Sequence, residues 1–326
     1  MRARITGTGS YMPEKILTNA DLEKMVDTNN EWIVARTGIE ERRIAADHEC
    51  TSDMAAIAAQ RAMEMAGVTA EQIDLIVVGT ITGDYPWPAT ACIVQAKIGA
   101  KKAFAYDLSA ACSGFIYALS CANDFIRSGH GKRALVIGAE TLSRSIDWTD
   151  RNTCVLFGDG AGAVILEAGE DDAGILSCHL HSDGNYLELL YQPGFGAKHP
   201  ASAAGMDAQL QYLKMQGNEV FKVAVRSLAE VSIEALEAHG YTSKDVSLFV
   251  PHQANRRILE ATAKRLGLAD EQTYINVHKY GNTSGATIPV ALDEANRGGM
   301  LKSGDLILSA AFGGGFTWAS ALLRWT

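Results

Sequence analysis

Apolar positions along the chain alternate between two periods. SDMAAIAAQRAMEMA, residues 52 to 66, repeats small apolar side chains at helical spacing and stops at Gly67, a residue suited to close a helix in the left-handed conformation. IDLIVVGT, residues 73 to 80, is a short apolar, β-branched run, which predicts a strand buried on both faces. GFIYALSCANDFI (114 to 126) returns to helical spacing before the apolar run ALVIGA (134 to 139). Helices and strands taking turns in this way predict an α/β protein.

The same pattern recurs further on. AEVSIEALEAHG ends at Gly240 and leads into YTSKDVSLFVPHQ, as AQRAMEMAG ends at Gly67 and leads into VTAEQIDLIVVGT. A shift of 173 positions superposes helix, glycine stop, Thr69 on Thr242, and strand. AYDLSAACSGF (105 to 115) and YINVHKYGNTSGAT (274 to 287) both read as a strand, a small-residue turn with Ser-Gly, and then a helix. Superposing Ser113-Gly114 on Ser284-Gly285 takes a shift of 171. Two matches in one order at nearly one offset predict an internal duplication, residues 1–172 and 173–326. Cys112 and Asn282 then occupy equivalent turns, and His252 follows the strand SLFV where the first half has Gly79. Sites in parallel α/β sheets form beyond the carboxyl ends of strands. Packing of the halves about a pseudo-twofold axis would bring the three residues together.

Composition narrows the classes. The 326 residues are 47% hydrophobic and 21% charged, ordinary for a globular chain, and seven prolines without a low-complexity tract argue against disorder. A net charge of −9 disfavours general nucleic-acid binding. No apolar run of about 18 residues is present to span a bilayer. MRARITGTGSYMPE lacks the apolar core of a secretory signal, so a cytoplasmic protein is expected. Six cysteines (Cys50, Cys92, Cys112, Cys121, Cys154, Cys178) show neither a CxxC pair nor framework spacing and are expected to be reduced.

Cys112 differs from its siblings in its surroundings. A helix N-terminus carries unpaired N–H groups and a partial positive charge that favour thiolate. Ser109, Ala110, Ala111, Ser113 and Gly114 leave room for a carbonyl to approach, and their amides suit an oxyanion. Cys121, in mid-helix, reads as a packing thiol. On these features alone Cys112 reads equally as nucleophile or as buried thiol. His252, between a buried strand and a helix, has a better catalytic address than His278, which alternates like an exposed strand residue in INVHKYGN. Asn282 beside Gly281 is by itself a common turn residue.

Taken together, Cys112 in DLSAACSGF, His252 in VPHQANRRI, Asn282 in YGNTSGATIP and the C-terminal AFGGGFTW resemble the β-ketoacyl-acyl-carrier-protein synthase III family. TGIEERR (37 to 43) and LFGDGAGAVIL (156 to 166) extend the likeness over essentially the whole chain. The resemblance implies the thiolase fold, duplicated α/β halves stacked as five layers α-β-α-β-α, and a homodimer. It implies that Cys112 attacks an acyl-CoA thioester and expels CoA, its oxyanion met by the amides of Cys112 and Gly314. Malonyl-acyl-carrier protein then loses carbon dioxide, and His252 and Asn282 stabilise the enolate that attacks the acyl-enzyme. FGGGFTW carries no second cysteine, which disfavours thiolase chemistry, and Asn282 stands where elongating synthases have a second histidine.

The resemblance assigns further roles. Trp32, Arg36 and Arg151 match CoA-contacting positions, a flat indole and a guanidinium gripping the adenine; Gly217 and Asn255 line the pantetheine channel. On the predicted helix 254 to 266, Arg256, Arg257, Lys264 and Arg265 share one face. With Lys222 they read either as a solvated face or as a dock for acidic carrier protein. Trp87 in DYPWPAT stands where Phe is common in the family, in a loop sent across the dimer interface toward the partner's acyl pocket. Acetyl and small branched primers both stay open. The CoA thioester is a substrate, and neither a resident cofactor nor a metal is implied. Rival readings are weaker. A cysteine protease would want CGSC[WY] near its mature N-terminus, and GTGSYM (7 to 12) lacks the third glycine of a dinucleotide loop.

Overall fold

The computed structural model describes residues 2–170 and 172–326. Its strands are β1 (Arg2–Tyr11), β2 (Lys15–Thr18), β3 (Glu41–Ile44), β4 (Leu75–Gly79), β5 (Phe104–Leu108), β6 (Arg133–Thr141) and β7 (Asp159–Gly169). They continue as β8 (Gly174–Ser182), β9 (Leu190–Tyr191), β10 (Lys214–Met215), β11 (Leu248–Phe249), β12 (Leu306–Gly313) and β13 (Thr317–Arg324). The helices are α1 (Asn19–Leu22), α2 (Asn30–Thr37), α3 (Thr51–Ala66), α4 (Thr90–Ile98) and α5 (Gly114–Arg127). After them come α6 (Ala203–Asp207), α7 (Gly217–Glu237), α8 (Arg256–Leu266), α9 (Val277–Tyr280) and α10 (Thr287–Arg297).

Two mixed sheets carry the core. One runs β1-β7-β6-β4-β5, the other β8-β13-β12-β11, with β2–β3 and β9–β10 as separate hairpins. The apolar run at β4 is covered on both sides because successive side chains alternate between faces. Leu75 and Val77 join the central core and Ile76 and Val78 the outer one. Inside the central core, α5 (Phe115, Leu119, Ile126) and α10 (Leu292, Ala295) lie between both sheets, against Val136 and Val164 on one side and Ile307 and Leu323 on the other. Helix α3 packs outside the first sheet and α7 outside the second, which completes α-β-α-β-α.

The repeat is in register at 173 positions. β4 corresponds to the strand ending in β11, β6 begins 173 residues before β12, and α5 begins 173 residues before α10. Ala111 (φ 47°) and Ser284 (φ 49°) occupy the left-handed region 173 residues apart, each opening a 3₁₀ turn. This corrects the offset of 171. Equivalent turns do carry Cys112 and Asn282, but the counterpart of Cys112 is Gly285, and Asn282 precedes the turn. A second correction concerns 274 to 278, read above as a strand. That segment makes only a single bridge, Phe249 to Thr273, and then enters α9, so His278 is helical and half-buried. GTGSYM lies within β1, paired to β7, and forms no phosphate loop.

Candidate active site

The two halves meet where their strands end. The turn after β5 lies against β12, and the turn at 284–286 lies against β6. No side chain fits between them at Gly138, whose added Cβ would stand 2.1 Å from the Gly285 carbonyl oxygen. Cys112, His252 and Asn282, all buried, thereby line one cavity of about 790 Å³. Its wall includes Phe157, Leu190, Met215 and Phe312; Trp32, Arg36, Asn152, Gly217, Asn255 and Arg257 line the same space.

Cys112 sits in the turn that opens α5. Ser113 Oγ donates to the Thr317 carbonyl (3.0 Å) and Thr317 Oγ1 to the Ala110 carbonyl (2.9 Å), tying this turn to the glycine run between β12 and β13. Gly313 presses directly on it, since an added Cβ would meet the Cys112 amide nitrogen at 2.6 Å. Among the described residues, no loop or side-chain hydrogen bond takes up the amide of Cys112 or of Gly314. The expected thiolate is not what burial favours. Desolvation pushes the Cys112 thiol up to about 12, against the helix dipole, so the resting group is a thiol. Cys121, read as a packing thiol, is exposed on α5.

Asn282 is held by its backbone and by its own oxygen. Its N–H donates to the Leu156 carbonyl (2.8 Å) and its carbonyl accepts from Gly158 N–H (3.1 Å), just beyond the bridge to Phe157. Asn282 Oδ1 accepts from Ser284 N–H (2.8 Å), which fixes the amide orientation and leaves Nδ2 as a donor lining the cavity. The 150–158 loop that supports it is anchored from TGIEERR. Arg42, fully buried, donates to the carbonyls of Leu17 and Val155 (3.1 and 2.8 Å) and to Asn19 Oδ1 (2.9 Å). Asp159 accepts from the amides of Ala45 and Ser143 (2.8 and 2.9 Å).

His252 follows β11, and its N–H donates to the Ala310 carbonyl at 2.8 Å. Nδ1 lies 2.7 Å from Thr287 Oγ1, which is also 3.0 Å from the Ser284 carbonyl. One hydroxyl proton serves one of those acceptors. With it on the Nδ1 side, Nε2 carries the ring proton toward the cavity. Burial pushes His252 down to about 3, so the ring is neutral at pH 7.

At the mouth, Arg36 and Arg151 stand 4.4 and 5.2 Å from the Trp32 ring centroid. Asn255 caps α8 through Oδ1 and donates from Nδ2 to the Arg36 carbonyl (3.0 Å), so it orders the rim as well as lining it. The basic face of α8 is as expected: Arg256, Arg257, Lys264 and Arg265 are exposed, with Ile258, Leu259, Thr262 and Leu266 buried. Arg256 pairs with Glu260 and Lys222 with Glu219, both at 2.8 Å, whereas Arg257 lies 5.5 Å from the Phe221 ring. Trp87 is 84% exposed and does not line this chain's own cavity. Four contributors escaped the sequence reading: Glu140, Ser284, Thr287 and Gly313. For Glu140 the signal was present, a lone charge at the end of a buried strand.

The chain matches the family described as 3-oxoacyl-[acyl-carrier-protein (ACP)] synthase III over residues 106–184, and the family of its C-terminal part over residues 236–325. The β-ketoacyl-[acyl-carrier-protein] synthase III of Xanthomonas euvesicatoria pv. vesicatoria is 57% identical over 328 residues, 99% of this chain and 98% of that relative. The one from Caldanaerobacter subterraneus subsp. tengcongensis is 53% identical over 324 residues, again 99% and 98%. Among solved structures, 3-oxoacyl-[acyl-carrier-protein] synthase III from Aquifex aeolicus VF5 superposes with a TM-score of 0.92 at 51% identity, covering 99% of this chain and 100% of that one.

Proposed function

The chain belongs to the β-ketoacyl-[acyl-carrier-protein] synthase III family, the acyltransferases that carry out the initiating condensation of fatty-acid synthesis, and we propose that Cys112, His252 and Asn282 perform its steps. The Cys112 sulfur attacks the carbonyl of a short acyl-CoA, and the Cys112 and Gly314 amides receive the oxyanion. CoA leaves, and malonyl-acyl-carrier protein enters by the same mouth. Loss of carbon dioxide leaves an enolate, whose oxygen takes hydrogen bonds from His252 Nε2 and Asn282 Nδ2. A neutral imidazole suits this role: it donates without needing a strong base, because the carbanion comes from C–C cleavage. The enolate carbon attacks the acyl-cysteine and returns the thiol with a 3-oxoacyl-carrier protein as product. No resident cofactor or metal enters these steps.

The observation that carries the reading is the convergence of the three side chains on one cavity, with Asn282 oriented by Ser284 N–H. Trp32, Arg36 and Arg151 would hold the adenine and phosphates, Gly217 and Asn255 the pantetheine, and Lys222, Arg256, Arg257, Lys264 and Arg265 the carrier protein. A homodimer is supported by β5, an edge strand with Phe104 51% exposed, beside Tyr85 at 61% and Trp87 at 84% in the loop before α4. Trp87 would then reach the second copy's acyl pocket. Six unpaired cysteines suit the cytoplasm. Incubation with radiolabelled acetyl-CoA should leave a covalent acyl group on the wild type and none on Cys112→Ala. Malonyl-carrier protein should then discharge that group as a 3-oxoacyl product. A wild type that never becomes labelled overturns the reading.

A further inference from the structure

One buried carboxyl behind the nucleophile has no role in the steps above. Glu140, near the end of β6, is fully buried and forms no ion pair among the described residues. Donors surround it instead. The Ile81 and Thr82 amides stand 3.2 and 3.1 Å from Oε2, Thr80 Oγ1 is 3.2 Å away, and Thr82 Oγ1 also donates. Ser284 Oγ completes the set at 3.1 Å from Oε1. The backbone of Ser284 is fully engaged, its N–H with Asn282 Oδ1 and its carbonyl with the Thr287 hydroxyl. Its hydroxyl is free to stand between the carboxyl and the Cys112 thiol, which it contacts. The turn that bears the nucleophile in one half therefore faces a turn that bears a bridging hydroxyl in the other.

We propose that Glu140, acting through Ser284 Oγ, accepts the Cys112 proton during acyl transfer. The inference rests on the reading that Cys112 is acylated. As the C–S bond forms, the thiol proton passes to Ser284 Oγ while the serine proton passes to Glu140 Oε1. When the tetrahedral intermediate collapses, the C–S bond to CoA breaks. Both sulfurs had been bonded to one carbon, so CoA thiolate is expelled beside the same hydroxyl and takes the proton back by the reverse relay. The sum is thiol plus thioester to thioester plus thiol, and no redox change occurs. Burial pushes Glu140 up to about 7, close to the operating range of a general base, despite five stabilising donors. Cys112 is the ionisable group that bears on this network; Thr80, Thr82 and Ser284 do not titrate. His252, reached through Thr287 and the Ser284 carbonyl, stays neutral.

The test separates the half-reactions by rapid-quench mass spectrometry with acetyl-CoA as the probe. Glu140→Gln and Ser284→Ala should slow acylation of Cys112 about 10²-fold. Malonyl-carrier-protein decarboxylation by enzyme already acylated should proceed at the wild-type rate. Wild-type acylation should rise with pH through an apparent pKa near 7, and the Gln variant should lose that limb. Wild-type acylation rates with an unchanged pH profile in both variants would overturn the relay, as would equal slowing of both half-reactions. If Glu140→Gln fails to fold, Ser284→Ala, which keeps the carboxyl, decides alone. A wild type that is not acylated at all instead refutes the reading of function.

Discussion

Gly313→Ala is the sharpest probe of how the oxyanion site is built. The added methyl would stand 2.6 Å from the Cys112 amide nitrogen, 3.1 Å from Cys112 Cβ and 3.2 Å from Ala111 Cβ. An ordinary contact begins at 3.4 Å, so the amide must retreat by about 0.8 Å. It cannot do so freely, because Ala111 is already at φ 47° and the turn is pinned to Thr317 from both sides. Overpacking of this kind costs about 1–3 kcal/mol of stability. Displacing a catalytic group by nearly 1 Å typically costs about 10² in rate, and losing one oxyanion donor about 10²–10³, or 2.7–4 kcal/mol. Acylation of Cys112 should therefore fall about 10²-fold, with a melting temperature lower by several degrees. Quench-flow acylation and calorimetry on one preparation measure both. Acylation within about twofold of wild type would refute the idea that this close approach sets the amide's position.

Other consequences are open to simpler assays. Asn282→Ala should slow decarboxylation of malonyl-carrier protein about 10²–10³-fold while acylation by acyl-CoA continues, so a matched loss in both steps would contradict its donor role. Trp32→Ala should raise KM for acyl-CoA severalfold with kcat little changed, because stacking at the rim is uniform binding; a fall in kcat instead places Trp32 elsewhere in the reaction. Phe104→Asp puts a charge on the exposed edge β5 and should give monomers in sedimentation, whereas an intact dimer would move the interface off that edge. Glu140, raised from its ordinary 4.5 to about 7, holds its proton more tightly in the folded chain. Its contribution is complete below pH 4.5 and is lost as pH rises through 7, about 3 kcal/mol in all. Glu140→Gln should flatten that decline in denaturant titrations between pH 5 and 8, and parallel curves would show that no such proton is held.

Much of this protein was legible in one dimension because its signals are local. A β-branched run bounded by glycine can be little other than a buried strand, and β4 places alternate residues in the central and outer cores. The duplication was visible because helix stops and strands recur at a fixed spacing. Cys112, His252 and Asn282 were found by chain address and motif, since each follows a strand end or precedes a helix. The failures were also local. INVHKYGN alternates like a strand, yet 274 to 278 finds only one bridging partner at the edge of a four-stranded sheet, and α9 forms instead.

Tertiary structure alone decided what those residues face. A helix start beside Cys112 argues for thiolate, but the opposing turn seals the sulfur and desolvation outweighs the dipole, which is a property of packing invisible in DLSAACSGF. Glu140 sits 28 residues beyond Cys112 and Ser284 a further 144. Only the meeting of two glycine-lined turns at a pseudo-twofold axis puts carboxyl, hydroxyl and thiol in one line. Periodicity reports which side of an element is buried; which polar group waits on that side depends on the element that covers it.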